Sequence, residues 1–153
     1  MKALSIQQPW AWLIVAGLPI LQSVPVPDSR PGTTRVEWLG KVARKDVENR
    51  LWPLPKDFQL PQRIYIHAGK REDKNALKAL LDMGFAAFPI LALFDKGMPK
   101  GALIGEVDII SCVTESESPW FCGPYGFVLS HPIPYDKPIP YRGQLGFFEV
   151  TIP

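Results

Sequence analysis

What most constrains this chain is its punctuation. Its apolar runs are short, rich in β-branched and aromatic residues, and most are cut by glycine or proline before they reach helix length. RIYIHA (Arg63 to Ala68), GALIGEVDIISCV, YGFVLSHPI and LGFFEVTI share this texture, which is that of strands separated by turns. KALSI (Lys2 to Ile6) and the alternating stretch from Val47 to Leu51 read the same way. Two segments read as helices. QQPWAWLIVAGL offers a proline at a first helical position and a stop at Gly17, with apolar residues on every side, so it predicts a helix enclosed by core. KREDKNALKALLDMGF sets Leu77, Leu80, Leu81 and Phe85 at helical spacing against a charged face, predicting an amphipathic helix from Glu72 to about Met83. The order lacks the regular βαβ alternation of a parallel sheet. It predicts an α+β fold, a small mixed β-barrel with two or more helices packed against it.

At 153 residues and 46% hydrophobic content, the chain can fill one core, whereas two would each be marginal. Residues 1–153 are therefore read as a single domain. The formal net charge of +2 permits nucleic-acid contact without demanding it. Cys112 and Cys122 have neither a CxxC partner nor a histidine at zinc spacing, so no metal or cofactor is expected. The N-terminus has a single lysine, early glutamines and no cleavage pattern, and Pro9 to Leu18 is too short to span a bilayer. The expected setting is the cytoplasm, with reduced thiols and no membrane association.

From Pro19 to about Arg44 the texture changes. Pro19, Pro25, Pro27 and Pro31 interrupt the stretch and DSRPG resembles a turn, so residues 19–44 read as a long loop or arm. Val36, Trp38 and Leu39 imply that its second half packs on something, a rim of the domain or a protein partner.

KDVENRLW (Lys45 to Trp52) concentrates four ionisable side chains at the lip of an apolar segment. As a strand it puts Asp46, Glu48, Arg50 and Trp52 on one face and Val47, Asn49 and Leu51 on the other. A carboxylate, a guanidinium and an indole together can accept from a base amine, pair with a phosphate or carbonyl, and stack a ring. A solvated strand edge with internal ion pairs is the plain alternative.

SIQQPWAWLIVAGL, KDVENRLW, RIYIHAGK, GALIGEVDI, GPYGFVL and RGQLGFFEV, in this order, resemble the ASCH domain family, whose fold is similar to the PUA domain. The resemblance covers nearly the whole chain apart from the proline-rich arm. It implies a helix-flanked β-barrel with a cleft for RNA or a nucleotide. Members of that family include hydrolases of N4-acetylcytidine, proteins described as ribonucleases, and domains thought only to bind RNA or recruit partners. The hydrolytic forms use a lysine, a threonine three residues on, an arginine two further, and a glutamate from a later segment. The resemblance puts Lys45 and Arg50 at the lysine and arginine positions, with Glu48 where the threonine stands. Glu106, Glu115 and Glu117 are the candidates for the later glutamate.

The expected ligand is thus RNA or a modified nucleoside. Lys45, Glu48 and Arg50 are the candidate catalytic residues of a metal-independent hydrolase, either a ribonuclease or an amidohydrolase of N4-acylated cytidine. Lys45 and Arg50 would stabilise the developing charge and Glu48 would serve as general base. Gln8, Trp10, Trp52, Tyr65, Lys70 and Tyr125 are candidate ligand contacts, with Lys70 near a helix start and Tyr125 in a glycine-flanked turn. Trp10 and Trp12 also read as core, and His67 as a hydrogen-bonded structural histidine. A binding module without chemistry, or an interaction domain that uses the arm at 19–44, are the alternative functions.

Overall fold

The computed structural model describes residues 1–152. Eight strands and three helices follow one another as β1 (Lys2–Gln8), α1 (Trp10–Val15), β2 (Leu18–Pro25), β3 (Thr34–Ala43), β4 (Val47–Arg50), β5 (Gln62–Glu72), α2 (Ala76–Asp82), α3 (Ala87–Lys96), β6 (Ala102–Val113), β7 (Tyr125–Pro140) and β8 (Phe147–Glu149). The fold is mixed α+β and dominated by strands. Six strands form one sheet in the order β4-β7-β6-β5-β1-β8, parallel between β1 and β5 and antiparallel elsewhere. Among the described residues no ladder joins β4 to the other end, so the sheet is open rather than a barrel closed by backbone pairing. No described helix is long and apolar enough to cross a membrane.

Alternation places Leu4, Ile6, Ile64, Ile66, Val107 and Phe127 in one buried cluster, into which α1 inserts Ala11, Ile14 and Val15. The helix seats closely because Gly105 of β6 has no side chain. A Cβ there would run into the carbonyl of Ile133 and lie 2.8 Å from Val15 Cγ1. A second cluster, around Leu13, Val47, Leu80, Ile90 and Trp120, ties α1 and β4 to α2 and α3.

Three elements depart from the sequence-based expectation. The arm is a hairpin, β2 paired antiparallel with β3 in a separate two-stranded sheet. It opens at Leu18 and closes opposite it at Ala43. Gly17, at φ +78°, makes that closure possible, since a Cβ there would lie 2.6 Å from the Ala43 carbonyl oxygen. The excursion therefore returns the chain to its starting point, and the Lys45 amide donates to the Leu13 carbonyl of α1 at 2.9 Å. The second helix is shorter than expected, because β5 continues through Lys70 to Glu72 and the Asp73 amide bonds to the Gln8 carbonyl. Helix α3 (AFPILALFDK) was not anticipated. It carries Pro89 within its first turn, where a missing N–H costs nothing.

Candidate functional site

β8 covers β1 only from Lys2 to Leu4. Beyond that point the edge of β1 is free of β8, and β4 forms the opposite end of the same sheet. Arg50 bridges the two, with Nη2 donating to the Ser5 carbonyl at 3.0 Å. A cleft of about 560 Å³ opens beside this bridge. Ser5, Ile6 and Gln7 line it from β1, and Lys45, Glu48 and Arg50 from β4 and its approach. Trp10, Trp120 and Phe121 give it aromatic surface, and Asp73 adds a second carboxylate.

The Lys45, Glu48 and Arg50 side chains form one ion-paired network. Glu48 faces inward beside Phe127, its partner across the β4–β7 ladder. Its Oε1 accepts from Lys45 Nζ at 2.8 Å, and its Oε2 accepts from Arg50 Nε at 3.1 Å and lies 2.9 Å from Nη2. Lys45 also donates to the Val47 carbonyl. Side-chain exposures of 7% for Lys45, 9% for Glu48 and 21% for Arg50 show that the first two have left water while the third reaches the cleft mouth. Two cations around one carboxylate leave the trio one positive charge in excess. By donor inventory one ammonium proton of Lys45, the Nη1 group of Arg50 and a lone pair on Glu48 Oε1 remain for a ligand. Such a wall can hold an anionic or carbonyl oxygen and accept one N–H.

The opposite wall is held by Asn49, which strand alternation turns away from Glu48 and Arg50. Its amide donates to the Trp120 carbonyl at 2.9 Å, and its Oδ1 accepts from the Cys122 and Gly123 amides at 2.8 and 3.1 Å. Asp46 adds a bond from Ser118 Oγ at 2.6 Å. One short strand therefore positions the ionic wall with one face and the aromatic loop with the other. Trp10 is fixed by its Nε1, which donates to Asp73 Oδ2 at 2.8 Å, while Asp73 Oδ1 accepts from the Asn75 amide.

The remaining expected contacts sit elsewhere. Gln8 is fully buried, with Oε1 accepting from the Trp12 amide and Nε2 donating to the Pro99 carbonyl, so it caps α1 instead of facing a ligand. Trp52, just past the end of β4, keeps to the side of Glu48 and Arg50 but does not line the cleft. It packs edge-on against Phe127 and Phe147 in the core, with the Arg50 guanidinium 5.7 Å from its ring. Tyr65 packs on the cluster of Ala3, Leu103, Phe148 and Val150. Lys70 is exposed on a strand, its stem beside Gly101, and not at a helix start. Tyr125 is half-buried directly across the ladder from Arg50, on the same face.

Of the later glutamates, Glu106 belongs to a separate cluster with Arg63 and Tyr135, and Glu115 and Glu117 are exposed. Hydrogen bonding from Tyr135 and the adjacent Arg63 hold the Glu106 carboxyl below its ordinary range, despite partial desolvation. The carboxylate that does join Glu48 at the cleft is Asp73, which sequence reasoning missed along with Asn49, Trp120 and Phe121. The aromatic pair in SPWFCGP, ahead of a glycine and a proline, was the available signal for the last two. His67 is structural, as expected. Its Nε2 donates to the Tyr141 carbonyl at 2.7 Å, which leaves Nδ1 to accept from Ser5 Oγ at 2.9 Å in the neutral ring. No protein-family model matches the chain, and no curated protein matches it.

Proposed function

We propose that the cleft takes a single base of RNA or a modified nucleoside, and that the protein is a metal-independent hydrolase of that ligand, as its resemblance to ASCH domains implies. The observation that carries this reading is the convergence of Lys45, Glu48 and Arg50 on the wall of a cleft that also holds Trp10, Trp120 and Phe121. Aromatic faces suit a stacked base, and the ionic wall suits its polar edge. The PUA-like barrel belongs to the same proposal. The Arg50 to Ser5 bond supports it, because it spans the gap that a closed barrel would fill with a ladder.

On an N4-acylated cytidine, the free lone pair of Glu48 Oε1 would orient a water. The water oxygen would add to the acyl carbon as Glu48 takes its proton, with Lys45 and Arg50 stabilising the oxyanion. Breaking the C–N bond, with that proton passed from Glu48 to the leaving nitrogen, then gives the free acid and cytidine. In RNA cleavage the 2′-hydroxyl would pass its proton to Glu48 and attack the adjacent phosphorus, breaking the P–O5′ bond to leave a 2′,3′-cyclic phosphate and a 5′-hydroxyl that takes up the proton, with the same cations facing the phosphoryl oxygens.

A second reading has its own support. Both Glu48 oxygens already accept from cations, so the carboxylate is occupied in holding Lys45 and Arg50, which suits a reader that binds without turnover. Mass spectrometry of an RNA oligonucleotide with one N4-acetylcytidine, incubated in EDTA with wild type or Lys45→Ala, separates the two. Acetyl loss or chain scission with wild type only supports the hydrolase. An unchanged oligonucleotide that is nonetheless bound supports the reader.

A further inference from the structure

The β2–β3 hairpin stands apart from the cleft chemistry, and its two edges differ. β2 carries Pro19 and Pro25, which donate no N–H, whereas β3 has no proline from Thr34 to Ala43. On one face of the hairpin Leu21 lies opposite Trp38 and Ser23 opposite Val36. Val36 and Trp38 are 64% and 61% exposed. A two-stranded ribbon is marginal by itself in water, and an unblocked apolar edge is a template for a further strand.

We propose that β3 pairs antiparallel with β3 of a second copy, joining two hairpins into one four-stranded ribbon about a two-fold axis through Val36. Charge favours a second copy as the occupant, and charge together with the regular part of the strand selects the register. In a two-fold antiparallel pair opposite residues share a face, so the axis passes through a residue. An axis on Arg35 or Glu37 sets that residue against its own like charge. On Trp38 it sets Arg35 against Lys41. On Leu39 it would set Glu37 against Lys41, but it centres the ladder on the register shift opposite Pro19 and Leu21. On Thr34 it runs off the start of the strand. On Val36 each Arg35 faces Glu37 of the other copy, Thr34 faces Trp38, and the two Val36 side chains meet. Arg35 and Glu37 already lie on one face, with Arg35 Nη2 2.6 Å from Glu37 Oε1. Dimerisation would turn two such pairs into a square of alternating charge, with an apolar face shared across both hairpins.

Sedimentation velocity of the full chain over a concentration series tests this. The wild type should show a reversible dimer. Glu37→Arg sets arginine against arginine twice and should weaken association about tenfold or more. Val36→Lys, which puts two lysines on the axis, should give a monomer. The double exchange R35E/E37R recreates both opposite-charge pairs and should restore the dimer. A wild type that stays monomeric at millimolar concentration overturns the proposal. So does a dimer that survives Val36→Lys, or a folded double exchange that fails to associate. A monomer whose affinity for an RNA oligonucleotide falls with Arg35→Ala and Lys41→Ala would make the hairpin a nucleic-acid arm and likewise overturn it.

Discussion

Replacing Glu48 by leucine should be among the most damaging single changes on β4. The carboxylate balances Lys45 Nζ at 2.8 Å and Arg50 Nη2 at 2.9 Å. Its loss strands Lys45, with a side chain only 7% exposed, beside a single backbone carbonyl. Removing one member of a buried pair costs about 3–5 kcal/mol, mostly as the penalty for the charge left behind. With a urea m value of about 2 kcal/mol/M, the unfolding midpoint falls by about 2 M. Arg50 contributes less to this loss, since it reaches solvent and keeps its bond to the Ser5 carbonyl. The double variant K45M/E48L removes both buried charges in similar volume and should return to within about 1 kcal/mol of wild type. It should also fail to bind the proposed nucleoside ligand, which would separate the network's role in the site from its role in the fold. Urea unfolding followed by far-ultraviolet circular dichroism gives all four corners of this cycle. A loss below about 1 kcal/mol for Glu48→Leu, or a double variant as unstable as the sum of its singles, would refute the claim that the network is a desolvated, mutually dependent unit.

Asn49→Ala should release the aromatic loop. Hydrogen exchange of the Cys122 and Gly123 amides should speed up and stability should fall by about 1–3 kcal/mol, while the β5–β6 ladder stays protected. Gly105→Ala should cost about 1–3 kcal/mol through the contact with Val15 and the Ile133 carbonyl, read as a lower thermal midpoint. Glu106, with its carboxyl held below the ordinary range by Tyr135 and Arg63, favours the folded state above its unfolded value near pH 4.5. That contribution should fade as acid takes the pH below this value and through the lower folded-state value, and Glu106→Gln should flatten this limb of the stability profile.

Much of the fold was legible because alternate apolar residues, Ile64 and Ile66 in β5 and Val107 and Ile109 in β6, are buried as strand periodicity requires. The same alternation brought Glu48 and Arg50 onto one face and Asn49 onto the other, as found. Asp46, ahead of β4, departs from that face by bonding to Ser118 of the aromatic loop. Trp52 stays beside Arg50 on the Phe127 side, but its ring packs on the core instead of the cleft. Pro19 and Pro25 suggested a loop, yet they fall near the ends of β2, where a missing N–H is tolerated on an edge strand. Gln8 looked like a cleft residue because it is polar and precedes a helix, but burial had made it a cap. Asp73 gave no local sign, since only the parallel pairing of β1 with β5 brings it beside Trp10.

If the cleft between β1 and β4 is the ligand site, a tryptophan-fluorescence titration in EDTA with an RNA oligonucleotide containing one N4-acetylcytidine should report it directly, because Trp10 and Trp120 line that cleft. A saturable change is expected, smaller in Trp10→Phe and absent in a folded Arg50→Ala variant. A titration with no saturable change, or one that Arg50→Ala leaves intact, would contradict it.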